Sequence, residues 1–177
     1  MSKPKKQKSI VGWREYVSIP ELGIKQIKAK VDTGARTSAL HVSNLKIVKR
    51  GQTKFAEFTV HPQQHSTNPE IHNRHKISSL RVVKSSNGMT TKRPVIKANI
   101  MLGLEKKEIE ITLVNRDLMG FRLLLGRTAL KPNFIVDPGK SYLFKTKLTK
   151  KIIKKNIREN IKKNIKKIIK KIIKKKI

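Results

Sequence analysis

The stretch "KVDTGARTSALHV", residues 30–42, decides how the rest of the chain is read. An Asp-Thr-Gly follows the apolar Val31 and leads through small residues to Leu40 and Val42. Asp and Gly suit a tight turn, because the Asp side chain bonds nearby backbone N–H groups and Gly tolerates any φ. The runs "IKAKV" before it and "TSALHV" after it read as strands. Asp32 is therefore either a turn-former or a reactive carboxylate, in a chain with only 11 Asp and Glu against 43 Lys and Arg.

Outward from this loop the pattern is short strands separated by turns. "SIVGWREYVSI" and "IKQIKAKV" flank the turn "PELG", and "LKIVKR" and "KFAEFTV" flank Gly51-Gln52. "LRVVKS" and "RPVIKANIML" flank Asn87-Gly88, a strong hairpin signal. "KEIEITLVN" alternates apolar and polar residues, and "FRLLLG", "FIVD" and "SYLF" supply further short strands. The one helix candidate in this region is "GRTALK". Residues 62–79, with two prolines and three histidines, read as an exposed loop or insertion. The expected fold is an all-β barrel or sandwich-like domain.

The pairing of Asp32-Thr33-Gly34 with the downstream "FRLLLGRTAL" resembles the retropepsin-like aspartic peptidases. The runs "VGWREYVSIPELGIKQIKAKVDTGARTSALHV", "RPVIKANIMLG", "EITLVNRDLMGFRLLLGRTAL" and "FIVDPGKSYL" resemble one bacterial and archaeal family within that group. That family was long labelled ATP-dependent zinc proteases and is now described as retropepsin-like aspartic endopeptidases. The resemblance covers residues 10–144, where it implies a closed retropepsin-like barrel with one short helix; a basic arm over 1–9 and a Lys/Ile-rich extension over 145–177 lie outside it. It also implies roles: Asp32 as acid or base, Thr33 bracing the loop, Gly34 allowing its turn, and Leu124, Leu125 and Gly126 packing beneath it.

An aspartic mechanism needs two carboxylates sharing one proton, because like charges at contact cannot both ionise. The chain has one Asp-Thr-Gly, and neither Asp117 nor Asp137 has a matching lead-in. The second carboxylate is then expected from a second copy, in a symmetric homodimer. Where viral relatives have an acidic residue after Asp-Thr-Gly-Ala, this chain has Arg36, so Arg127 needs another partner, for which Asp117 is the candidate. Arg36, Arg93, Arg122 and Arg127 are expected to line a cleft for an acidic substrate, since guanidinium forks bind carboxylates bidentately. Some relatives are associated with ligases that append glutamates to a ribosomal protein. Peptide or isopeptide bonds in glutamate-rich or glutamate-tailed proteins are thus the expected target. The "VVKSSNGMTTKRPVI" hairpin is the candidate flap.

The older zinc label directs attention to His61, His65, His72 and His75, with Glu70 nearby, and to His41 after the loop. There is no His-Glu-x-x-His, so a scattered set of solvent-facing histidines is the expected reading and no metal is assigned. No phosphate-binding glycine loop occurs, and no cofactor is expected. The absence of cysteine points to a reducing, cytoplasmic setting, and no window offers a membrane span. The net charge is +32, of which residues 150–177 hold 13 Lys, one Arg and one Glu. Ile recurs there at 153, 157, 161, 165, 169, 173 and 177, an amphipathic stripe if helical. Lysine repulsion favours disorder in isolation. The rival function is a non-enzymatic cationic module on RNA, ribosomes or anionic membranes.

Overall fold

In the computed structural model, residues 7–64, 66–84, 88, 90–115 and 120–144 are described. Six strands close into a barrel. They are β2 (Arg14–Ile19), β3 (Ile24–Val31), β4 (Ser38–His41), β9 (Thr90–Leu102), β10 (Glu105–Val114) and β11 (Leu123–Leu125). The order around the barrel is β10-β4-β11-β3-β2-β9, and β9 pairs back onto β10. This is the all-β barrel that the strand pattern predicts. Its interior is filled by the inward-facing half of each alternation. Ile27, Ala29, Leu40, Ile96, Ile111 and Leu123 are each at most 1% exposed. Burying a branched side chain of this size contributes about 1.5–3 kcal/mol.

Around the barrel lie smaller pieces. β1 (Ser9–Gly12) runs parallel to β12 (Phe134–Asp137) in a two-stranded sheet. β8 (Ser79–Lys84) extends the barrel sheet by pairing antiparallel with β9. β5 (Ser43–Arg50), β6 (Thr53–Val60) and β7 (Ile71–Lys76) form a separate antiparallel sheet. The helix expected at "GRTALK" is α1 (Arg127–Leu130). "PELG" becomes a 3-10 turn over Pro20–Leu22 closed by Gly23 at φ 69°, a left-handed conformation that glycine adopts without strain.

Two expectations give way. The segment 62–79 is not all loop, because Ile71–Lys76 is a strand laddered onto β6 from Phe55↔Lys76 to Val60↔Ile71. "SYLF" is not a strand. The backbone N–H groups of Leu143 and Phe144 instead donate to the carboxylate of the fully buried Glu15, at 3.0 and 3.4 Å. Glu15 also accepts from Gly12 at 2.8 Å, which ties the segment to the start of the barrel. The tip of the candidate flap, residues 85–87 and 89, and the extension over 145–177 lie outside the described residues.

Candidate functional site

The Asp32 loop owes its position to a strand that arrives from far downstream. β11 lies between β3 and β4, parallel to the first and antiparallel to the second, with Leu124 opposite both Lys30 and Ala39. The two strands joined by the loop are therefore not neighbours, and the chain must arch over the end of β11. Asp32 N–H donates to the Leu125 carbonyl at 2.9 Å, continuing that ladder one residue past the strand. The Asp32 carboxylate turns back on its own loop, Oδ1 accepting from the N–H groups of Gly34 at 3.0 Å and Ala35 at 3.1 Å. Oδ2 has no partner among the described residues. Asp32 is half-buried, whereas Thr33 and Gly34 are exposed.

Gly126 and the start of α1 hold the loop from below. Arg127 Nη1 donates to the carbonyls of Thr33 at 2.7 Å and Gly34 at 2.9 Å, and its backbone N–H donates to Ala35. Thr128 donates twice to the Arg36 carbonyl, from its N–H at 3.1 Å and its hydroxyl at 3.0 Å. The buried Ser38 hydroxyl accepts from Gly126 N–H at 3.2 Å, and the Ser38 carbonyl accepts from Thr112 Oγ1 at 2.9 Å. A Cβ on Gly126 would stand 2.6 Å from the Thr37 carbonyl group, so only glycine allows this approach. At the other end of the helix, Lys107 Nζ donates to the carbonyls of Thr128, Ala129 and Lys131. Burial pushes the Lys107 amine below its usual range.

Asp32, Thr33, Gly34, Leu124, Leu125, Gly126 and Arg127 thus converge on one loop and its support. The fork expected to meet a carboxylate is bonded to two loop carbonyls. Asp117, named as its partner, lies outside the described residues. Arg36 is exposed beside the loop. Arg93 stands on β9 opposite Arg81 of β8, with Nε donating to Thr91 Oγ1 at 2.9 Å. Arg81 pairs with Glu110 of β10 at 2.6 Å, which ties this hairpin to the barrel. Arg122 lies two residues before Leu124 and donates to the Ser66 carbonyl at 3.3 Å.

The histidines do not gather. His61 is buried, its Nδ1 within 2.6 Å of the Thr67 carbonyl and its Nε2 3.1 Å from Ser43 Oγ. Since a carbonyl only accepts, Nδ1 carries a proton, and the ring pins the 62–70 segment to β5. His72 and His75 are three apart on a strand, hence on opposite faces. His65 lies outside the described residues, and no group of three metal-ligating side chains occurs among those described. Sequence reading missed Ser38, Thr128 and Lys107 as supports. Ser38 was findable as a hydroxyl one turn after the motif, whereas Lys107 sits unmarked among alternating charges in "LEKKEIEI".

Comparison with known proteins agrees with this fold. A protein of Shewanella pealeana named "Probable alpha-L-glutamate ligase" is 43% identical over 140 residues, 79% of this chain and 31% of that protein. A protein of the same name from Shewanella halifaxensis is 44% identical over 135 residues, 76% of this chain and 30% of its own length. The chain thus spans about a third of the curated relatives it matches. A crystal structure of a Legionella pneumophila protein of unknown function superposes with a TM-score of 0.63 at 27% identity, covering 77% of this chain and 98% of the other. Residues 10–147 match the family described as RimB-like, retropepsin-like aspartic endopeptidase RimB. The chain belongs to the RimB-like family of retropepsin-like aspartic endopeptidases.

Proposed function

We propose that the protein is an aspartic-type endopeptidase that works as a homodimer through paired Asp32 residues. Its substrates are peptide or isopeptide bonds in glutamate-rich or glutamate-tailed proteins. The observation that carries this reading is the Asp32 carboxylate, held at Oδ1 by two backbone N–H groups with Oδ2 unpartnered, on a loop clamped by Arg127 and Gly126. A second copy related by a two-fold axis at the exposed Thr33-Gly34 tip brings the second carboxylate close. One carboxylate then takes a proton from water as it attacks the scissile carbonyl, while its protonated partner polarises the carbonyl oxygen. The acidic substrate suits the excess of cations in the body of the chain. It also suits relatives named for glutamate ligation, two thirds of whose length lies outside the match.

The test is cleavage of a glutamate-tailed peptide by the wild type and Asp32→Asn, each with and without a chelator, alongside sedimentation of both proteins. Cleavage lost in the variant, unaffected by chelator and confined to the dimer supports the proposal. Cleavage that survives Asp32→Asn, or stops with chelator alone, sinks it and returns attention to the histidines. Binding of acidic peptide with no turnover by either protein favours the rival cationic module instead.

A further inference from the structure

The register of the barrel places a row of cations beside the Asp32 loop, separate from Arg36, Arg93, Arg122 and Arg127. Along β3, Ala29 and Val31 point into the core, at 0% and 8% exposure, so Lys28 and Lys30 lie on the opposite face. Lys30 is opposite Arg14 of β2 on one side and Leu124 of β11 on the other. Directly opposed residues share a face, so Arg14, Lys30 and Leu124 form one row across three strands. Asp32 follows Lys30 by two residues, about 6.6 Å along an extended chain.

Arg14 is built for a ligand rather than for an internal ion pair. Its guanidinium carbon lies 4.5 Å from the Trp13 ring centroid and 5.0 Å from that of Tyr142. Tyr142 is in turn stacked on Tyr16 at 4.7 Å and donates its backbone N–H to the Arg14 carbonyl. The side chain is held in place by two aromatic rings, yet Nε is buried and makes no hydrogen bond. Buried polar N–H groups are nearly always partnered, and leaving one unmet costs about 1–3 kcal/mol. Lys30 is exposed, and among the described residues neither it nor Arg14 meets a carboxylate. Two like charges directly across a ladder repel one another, and an anion placed between them would relieve that repulsion.

The geometry points to a carboxylate subsite formed by Arg14 and Lys30, which accepts an acidic side chain of the substrate next to the bond presented to Asp32. This rests on the peptidase reading for its place in the reaction, but the binding itself does not. The two terminal nitrogens of Arg14 grip the carboxylate as a fork, with Nε enclosed behind them, and Lys30 adds a point charge. The two-residue spacing from Lys30 to Asp32 matches the repeat of an extended peptide, whose alternate side chains share a face.

Trp13 is the only tryptophan of the chain and lies under the Arg14 guanidinium, so its fluorescence reports this subsite directly. The experiment titrates the full-length Asp32→Asn protein with a glutamate oligomer and a glutamine oligomer of equal length, read by Trp13 emission and by calorimetry. The same titrations are run with Arg14→Gln, Arg14→Lys, Lys30→Gln and, as a charge-matched control on β5, Lys49→Gln. The glutamate oligomer is expected to bind saturably and the glutamine oligomer not. Arg14→Gln and Lys30→Gln should each weaken binding by about tenfold or more, with Arg14→Lys recovering part of the loss and Lys49→Gln changing little. Lys30 is exposed, so Lys30→Gln keeps the test valid if Arg14→Gln misfolds. Equal weakening by Lys49→Gln, unchanged binding in both subsite variants, or a change of sedimentation mass in place of affinity would overturn the subsite. Cleavage by the wild type is read separately. Subsite binding without any Asp32-dependent cleavage defeats the peptidase reading alone, and such cleavage without the binding differences defeats the subsite alone.

Discussion

At the scale of single residues, the site is defined less by Asp32 than by what keeps it in place. Gly126→Ala is expected to destabilise the fold by about 1–3 kcal/mol, because the added methyl overlaps the Thr37 carbonyl in a packed site. A denaturant melt of the variant measures this, and wild-type stability would refute the close approach. Arg127→Lys keeps the charge but loses the planar fork that bonds Thr33 and Gly34. On the peptidase reading kcat should fall at least ~10-fold with KM changed little, since the loop is misplaced while the subsites remain. Glu21 offers a pH prediction. Hydrogen bonds from Asn99 hold its carboxyl below the usual 4.5, with His75 and Lys106 adding attraction. A depressed folded value contributes stability that is present above 4.5 and lost as the pH falls through the lower folded value. Glu21→Gln should therefore flatten the acid side of the stability profile in thermal melts, and an unchanged profile would show the contact to be inert.

At the scale of elements, the strands with one buried face were legible, because period-two alternation is a direct record of burial. β7 was not. "IHNRHK" is an edge strand with half-wet faces and has only Ile71 to mark it, so its place comes from the ladder with β6 rather than from side-chain pattern. "SYLF" failed in the opposite sense: its composition suits a strand, but its N–H groups answer to Glu15. The Asp32 loop was legible from its motif, whereas the anchor of Arg127 was not, since backbone carbonyls leave no trace in residue type. The same holds for Lys107 and α1. Lys107→Met leaves carbonyls of Thr128, Ala129 and Lys131 without their donor and should cost about 1–2 kcal/mol. Amide exchange should rise first at Ala129 and Lys131, and an unaltered exchange pattern would show that α1 holds without this cap.

At the scale of the whole molecule, the charge divides into a basic body and a more basic extension. Removing residues 150–177 takes away 13 of the 32 net charges. The peptidase reading expects the shortened chain to keep its melting temperature and turnover, while salt-sensitive binding to anionic polymers weakens. Loss of turnover on truncation would tie the extension to the reaction. The insertion of β11 between β3 and β4 has a further consequence, which concerns time. The bonds that shape the Asp32 loop reach 92 to 94 residues along the chain, from Arg127 and Thr128. During synthesis the Asp-Thr-Gly emerges long before those partners exist, and such distant pairings are the slowest to close. The nascent polypeptide therefore carries the Asp32 loop without its clamp until Arg127 and Thr128 have emerged. The loop is thus completed late in folding, and a chain stalled before Arg127 and Thr128 lacks the bonds that hold it.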